Sequence, residues 1–304
     1  MRRELLASAL LLCSCAPGDA GGMRTDQASL SAYFDCIDEE GLTLVAAHRG
    51  TDGRAAENAL SSIRSVTART AGLVEVDVAA SADGVLFLHH DDTLDRSTTG
   101  TGPADISWSE LRELSLRDAA GRVTAEPVTS LAALLDWVRE EPVIVELDLK
   151  PSARYADVAA LLEEKGVEDK VVIIAYTQAQ ARAIADAFPE AVISAGVDTL
   201  SDLDALMAAG IPASRLLAWT GTETPDPDLY EALDARGIEV IFGTLGGRES
   251  WDARIARSGS EEAYVRLAEQ GVDILATDRP LEAHRILAET GRADAARTCR
   301  AFLS

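Results

Sequence analysis

The chain has 304 residues, of which 47% are hydrophobic, enough to bury the core of one large domain. Its 51 Asp and Glu against 28 Lys and Arg give a formal net charge of −23. Such a balance excludes nucleic acid or an anionic membrane as a general partner, because both need a basic footprint. An anionic substrate has to be neutralised locally, by a cation or by a few placed basic groups.

The N-terminus reads as an export signal. Arg2 and Arg3 precede the apolar stretch Leu5–Leu12, too short to span a bilayer. The segment Leu12-Cys13-Ser14-Cys15 resembles the lipobox of bacterial lipoproteins, which implies cleavage before Cys15 and lipidation of its thiol. The mature protein is then expected outside the cytoplasm, in the periplasm or cell envelope, touching the membrane only through that anchor. Residues 1–22 are read as signal and tether and 23–42 as an N-terminal extension. The folded domain is expected over 43–290, and 291–304 forms a C-terminal tail.

From residue 43 onward, short β-rich runs alternate with amphipathic stretches. Strands are expected at Thr43–Ala47, Leu73–Ala79, Val85–His89, Val143–Leu149, Val171–Tyr176, Ala191–Val197, Arg215–Trp219, Ile238–Phe242 and Val272–Ala276. Between them, "SLAALLDWVREE" carries Leu131, Leu134, Leu135 and Val138 at helical spacing. This alternation predicts a parallel sheet with helices outside it. The run Val85–His89 follows its predecessor after only "SADG", which permits a tight turn but no parallel crossover. Leu73–His90 is therefore a hairpin, and the other eight strands close as an α/β fold, a (β/α)8 TIM barrel. Residues 91–129 show no strong strand pattern and one helix, "SWSELRELS", and are read as an insertion beside the barrel mouth. Cys36 and Cys299 lie at the two ends of the folded part, which a closed ring brings together; a disulfide between them and two buried free thiols both stay open.

Strand alternation places Glu75 and Asp77 on the inward face of one strand and Glu146, Asp148 and Lys150 on that of another, near the strand ends where such barrels carry their active sites. A hairpin turn centred between Asp83 and Gly84 sets position 90 opposite position 77, which returns His90 to the level of Asp77. His48 ends the first strand on the same inward face. Three carboxylates suit one divalent cation, Mg2+ or Ca2+, and two flanking histidines suit general acid and base work. Asp91 is expected to orient a neighbour. His89 is expected to be structural, and His284 is read as a surface residue.

The motifs "HRG" (48–50), "EN" (57–58), "EVD" (75–77), "DG" (83–84), "HDDTLDRST" (90–98), "LDLKP" (147–151) and "TDRP" (277–280) together resemble the glycerophosphodiester phosphodiesterase family in order and spacing. The resemblance implies hydrolysis of glycerophosphodiesters to glycerol 3-phosphate and an alcohol. It makes His48 and His90 the acid/base pair, and Glu75, Asp77 and Asp148 the metal ligands. Arg49 and Lys150 become phosphate contacts, and Glu57 and Asn58 brace the site. Two departures stand out. Aspartate occupies position 148 where the family usually has glutamate, as in the related sphingomyelinase D toxins. The family's "WTVN"-like stretch is replaced by "IFGTLGGRESWD", so a tryptophan is expected to be missing from the mouth. That departure keeps open a sphingomyelinase D-like or lysophospholipase D-like action on lysolipid headgroups. A non-catalytic phosphodiester-binding surface lipoprotein is the remaining alternative.

Overall fold

The computed structural model describes residues 29–70, 72–294 and 298–303. The expected lipidation site at Cys15 lies outside them. All nine expected strands are present, with ends within two residues of those read from the sequence. In chain order they are β1 (Leu44–Ala47), β2 (Leu73–Ala80) and β3 (Leu86–Leu88), then β4 (Ser115–Arg117) and β5 (Val123–Pro127) inside the insertion. β6 (Ile144–Leu149), β7 (Val171–Ala175), β8 (Val192–Gly196), β9 (Leu216–Trp219), β10 (Glu239–Gly243) and β11 (Ile274–Thr277) follow. β1, β11, β10, β9, β8, β7, β6 and β2 pair in parallel in that order, and β1 pairs with β2 to close the ring. β3 stands outside it, antiparallel to β2.

Each ring strand separates two environments. Val74, Val76 and Val78 face outward into the helix layer, with Val145, Leu147 and Leu135 in the same cluster. On the inward face the lower positions are apolar. Leu44, Leu73, Ile144, Val172, Val192, Leu217, Ile241 and Ile274 meet the helix Leu30–Glu39, which caps the amino-terminal end of the barrel with Tyr33, Phe34 and Ile37. Cys36 on this helix is disulfide-bonded to Cys299, so the cap is tied to the C-terminal segment. The higher inward positions are charged, beginning with Glu75 and Glu146. The barrel axis is thus a gradient from hydrocarbon to carboxylate.

Two expectations need correction. The β2–β3 register sets Val78 against Leu88 and Ala80 against Leu86, and Asp77 O accepts the His89 N–H at 3.0 Å. Position 77 is therefore opposite 89, not 90. The loop is the three residues Ala82–Gly84 closed by Ser81 and Val85, with Gly84 at φ 84°, and not a two-residue turn. The insertion also holds more structure than one helix. Its helix is only Trp108–Leu111, and β4 and β5 pair in an antiparallel ladder over a small core of Leu94, Leu111, Leu116 and Val128 that packs on Phe87 and Ala79.

Candidate active site

The register of β2 and β6 sets Glu75 beside Glu146 and Asp77 beside Asp148, all four pointing into the barrel. Like charges on neighbouring strands repel, and every one of these side chains is buried. Lys150, just past β6, answers the upper pair: its Nζ lies 2.7 Å from Asp77 Oδ1 and 2.7 Å from Asp148 Oδ2. Burial pushes the Asp77 carboxyl up, but the Lys150 charge, the Asn58 amide and Arg49 outweigh it and hold Asp77 below the usual carboxylate range. Glu75 has no cation of its own. Burial and the nearby Asp77 charge drive it well above the usual range, against the Arg49 N–H it accepts at 2.8 Å. Glu146, deeper still, is pushed by burial to about 7.

Glu75, Asp77 and Asp148 offer oxygens that all lie within 4.8 Å of one another. Three buried hard donors, one of which cannot easily ionise without added positive charge, fit a divalent cation. Tyr176 O–H donates to Asp148 Oδ2 at 2.8 Å, fixing the shorter side chain at this corner of the cluster.

The loop after β1 is built around this cluster. Arg49 (φ 52°) and Asn58 (φ 56°) are the non-glycine residues in left-handed conformation among the described residues. Side chains seldom accept that backbone without compensating contacts. Here the compensation comes from the acids. Arg49 N–H donates to Glu75, the Asn58 amide donates to Asp77 Oδ2 at 2.8 Å, and Asn58 Oδ1 accepts the Asp77 N–H at 3.1 Å. Gly50 completes the turn where a Cβ would sit 2.3 Å from Ile63.

Each expected histidine has a carboxylate on Nδ1. His48 Nδ1 is 2.7 Å from Asp278 Oδ1, and Asp278 in turn accepts the Gly246 N–H at 2.9 Å. Behind it, buried Asp252 accepts the Asp278 N–H at 2.7 Å and hydroxyls of Thr277 and Tyr264. His90 Nδ1 is 2.6 Å from Asp91 Oδ1, whose other oxygen accepts from Arg96 Nε at 2.6 Å. Arg96 also donates to Glu57, which accepts from Arg49. A carboxylate is an acceptor only, so each pair calls for a proton on Nδ1 and leaves Nε2 as the exchanging nitrogen. Both imidazoles and the three acids line one cavity of about 430 Å³ at the carboxyl ends of the strands. His90 arrives there because the chain leaves the ladder after Leu88, not by the expected register.

His89 stacks on Phe87, and its Nε2 lies 3.0 Å from Thr93 O, a structural placement. His284, read as a surface residue, is half-buried. Its Nδ1 is buried without a hydrogen-bond partner, and burial pulls its pKa down. The mouth does have a tryptophan, contrary to expectation. Trp219, at the end of β9, lines the cavity and lies over Gly243, where a Cβ would come within 2.6 Å of the indole. Asp278, Arg96, Tyr176 and Trp219 are site residues to which sequence reasoning assigned no role. Three of them stand at or just beyond the end of a barrel strand, a positional signal in itself.

The Glycerophosphoryl diester phosphodiesterase family matches residues 48–282. The chain belongs to this family. A glycerophosphodiester phosphodiesterase of Caldanaerobacter subterraneus subsp. tengcongensis is 24% identical over 249 residues, 78% of this chain and 95% of its own length. A glycerophosphoryl diester phosphodiesterase from Parabacteroides distasonis is 28% identical, with a TM-score of 0.75 over 87% of this chain and 93% of that one. An Oleispira antarctica phosphodiesterase, solved with its product sn-glycerol-3-phosphate, shares the fold at 20% identity and a TM-score of 0.64, covering 83% and 98% of the two chains. The family match begins at His48 and ends in the helix after "TDRP". It therefore spans the ring strands after β1, the insertion and both histidine–carboxylate pairs.

Proposed function

We propose that the protein hydrolyses glycerophosphodiesters to glycerol 3-phosphate and an alcohol, with His48 and His90 as the acid/base pair. The observation that carries this reading is the convergence of two imidazoles, each paired through Nδ1 with a carboxylate, on a triad of acids fit for a cation. Glu75, Asp77 and Asp148 would hold Mg2+ or Ca2+, which supplies charge stabilisation at a non-bridging phosphate oxygen. Arg49, 3.7 Å from Asp77 through Nε, and Lys150 flank the triad and are positioned to bind the remaining phosphate oxygens. One Nε2 takes a proton from the attacking water or glycerol hydroxyl. The other delivers a proton to the departing alkoxide. Asp278 and Asp91 keep the two rings oriented and stabilise each imidazolium as it forms.

The lysolipid alternative drew on the lipid anchor and on a mouth without tryptophan. Trp219 at that mouth supports the smaller diester instead. The binding-only alternative gives no use for two separately oriented imidazoles. Export and anchoring through Cys15 remain part of the proposal; the Cys36–Cys299 disulfide, a bond that persists in oxidising compartments, supports the export.

The test is release of sn-glycerol 3-phosphate from a panel of glycerophosphodiesters, with release of choline from lysophosphatidylcholine and sphingomyelin followed alongside, in Mg2+ or Ca2+. Turnover of the water-soluble diesters is expected. Turnover of the lipids alone would replace the reading by the lipid one, and none at all would overturn it.

A further inference from the structure

A second cavity, of about 580 Å³, opens between the HRG turn, the insertion and the loop after β10. His48 is the one residue that lines both this cavity and the carboxylate cavity. We infer that this second cavity binds the leaving alcohol, and that the alcohol it takes is neutral and rich in hydroxyls. The inference rests on the phosphodiesterase reading above. In an in-line displacement at phosphorus, the entering and departing oxygens lie on opposite sides of the reacting centre. When the glycerol hydroxyl is the entering group, the two ends of the diester need two chambers that meet at the phosphate, which is the relation these cavities have across His48.

The wall of the cavity determines the chemistry it accepts. Apart from His48, every lining side chain is charged, hydroxylated or no larger than alanine. There is no aromatic face for a quaternary ammonium and no aliphatic wall for an acyl chain. The charges are largely matched in place: Arg49 and Arg96 pair with Glu57, Arg96 also with Asp91, Asp118 with Arg122, and Asp278 with His48. Arg117 donates to the carbonyl oxygens of Thr98 and Gly121. A cationic headgroup therefore finds carboxylates already engaged.

Ser97 is the group left over. It is 5% exposed, it lines the cavity, and its Oγ has no hydrogen-bond partner, while the hydroxyl of the next residue, Thr98, donates to Leu94 O at 2.7 Å. An unpartnered buried hydroxyl is costly unless something pairs with it. A polyol hydroxyl that meets the Ser97 side chain supplies that partner.

Ser97→Ala removes the hydroxyl without breaking any internal hydrogen bond, and Ala119→Trp fills the cavity from an exposed position on the insertion. The quantity to measure is the ratio of kcat/KM for glycerophosphoinositol or glycerophosphoglycerol to that for glycerophosphocholine. Ser97→Ala should lower the ratio about 2- to 10-fold, the equivalent of one neutral hydrogen bond, and Ala119→Trp should lower it further, through KM. An unchanged ratio in both variants would overturn the inference while leaving the hydrolysis intact. If no diester is hydrolysed, saturation-transfer NMR of glycerophosphoinositol still decides. Transfer to the inositol ring protons that is lost in Ala119→Trp supports the site, and transfer that persists or never occurs refutes it.

Discussion

The two ends of the barrel solve the burial of acids in opposite ways. At the mouth, Asp77 meets Lys150, Asp91 meets Arg96, and Asp278 meets His48, and these partners hold each carboxyl below its ordinary range against the opposing push of burial. At the floor, Asp273 accepts the Val240 N–H at 2.7 Å and no cation is among the groups that shift it. Burial, reinforced by Asp38 and Asp234, pushes it up to about 7, and burial takes Glu239, with Asp273, Asp35 and Asp38 nearby, to about 8. Glu75 and Glu146 are the exceptions at the mouth, raised by burial with no cation of their own, and at Glu75 a bound divalent ion would supply the missing charge. The floor is sealed by hydrocarbon and a disulfide, so its acids are tolerated; the mouth is assembled from charge.

The largest effect that can break this contrast is at the mouth. His48→Ala and His90→Ala should each lower kcat by about 10²- to 10⁴-fold, with the thermal midpoint close to wild type because neither ring is in the core. Equal loss of stability would mean that the rings brace the barrel and do not serve the reaction. At the floor, Cys36→Ser should lower the melting temperature by several degrees, since a disulfide closing a long loop contributes about 2–4 kcal/mol. kcat should be unaffected, as the bond lies at the far end of the ring from the acids.

A smaller, pH-dependent effect sharpens the comparison. Asp273 is raised in the folded protein, so the folded state holds a proton that the unfolded chain, with its ordinary value near about 4, has already released. The stability contributed by the protonated form is complete below about pH 4 and is lost as pH rises toward 7. Asp273→Asn, which can still accept the Val240 N–H, should therefore match wild type at pH 4 and melt higher above pH 7. A variant less stable than wild type at pH 8 would show that the floor acid is held as a useful anion after all.

Much of this molecule was legible in the chain. The eight parallel strands announce themselves through β-branched runs, and the alternation in "LVEVDVAA" and "VELDLK" alone sets Glu75, Asp77 and Asp148 on one inward face. What escaped depends on local turn energetics or on tertiary reach. "SADG" is compatible with a two-residue or a three-residue loop, and the difference of one residue moved the partner of Asp77 from His90 to His89. β4 and β5 are short, and β5 alternates between exposed and half-buried positions, so no hydrophobic stripe marked them. Asp278 sat inside a quoted motif, but its contact with His48 spans 230 residues and needs the closed ring to exist. The mouth tryptophan, expected to be missing, comes from β9 as Trp219, since Gly243 on β10 leaves the space that the neighbouring indole fills.

The central claim, that three acids from two adjacent strands hold one divalent ion between the two imidazoles, is tested most directly by calorimetric titration of the chelator-stripped protein with Mg2+ and Ca2+. One saturable site per chain is predicted, binding with release of a proton because Glu75 must ionise, and absent when Glu75, Asp77 and Asp148 are replaced by their amides. Binding that survives those replacements, or no saturable binding of either ion, would contradict it.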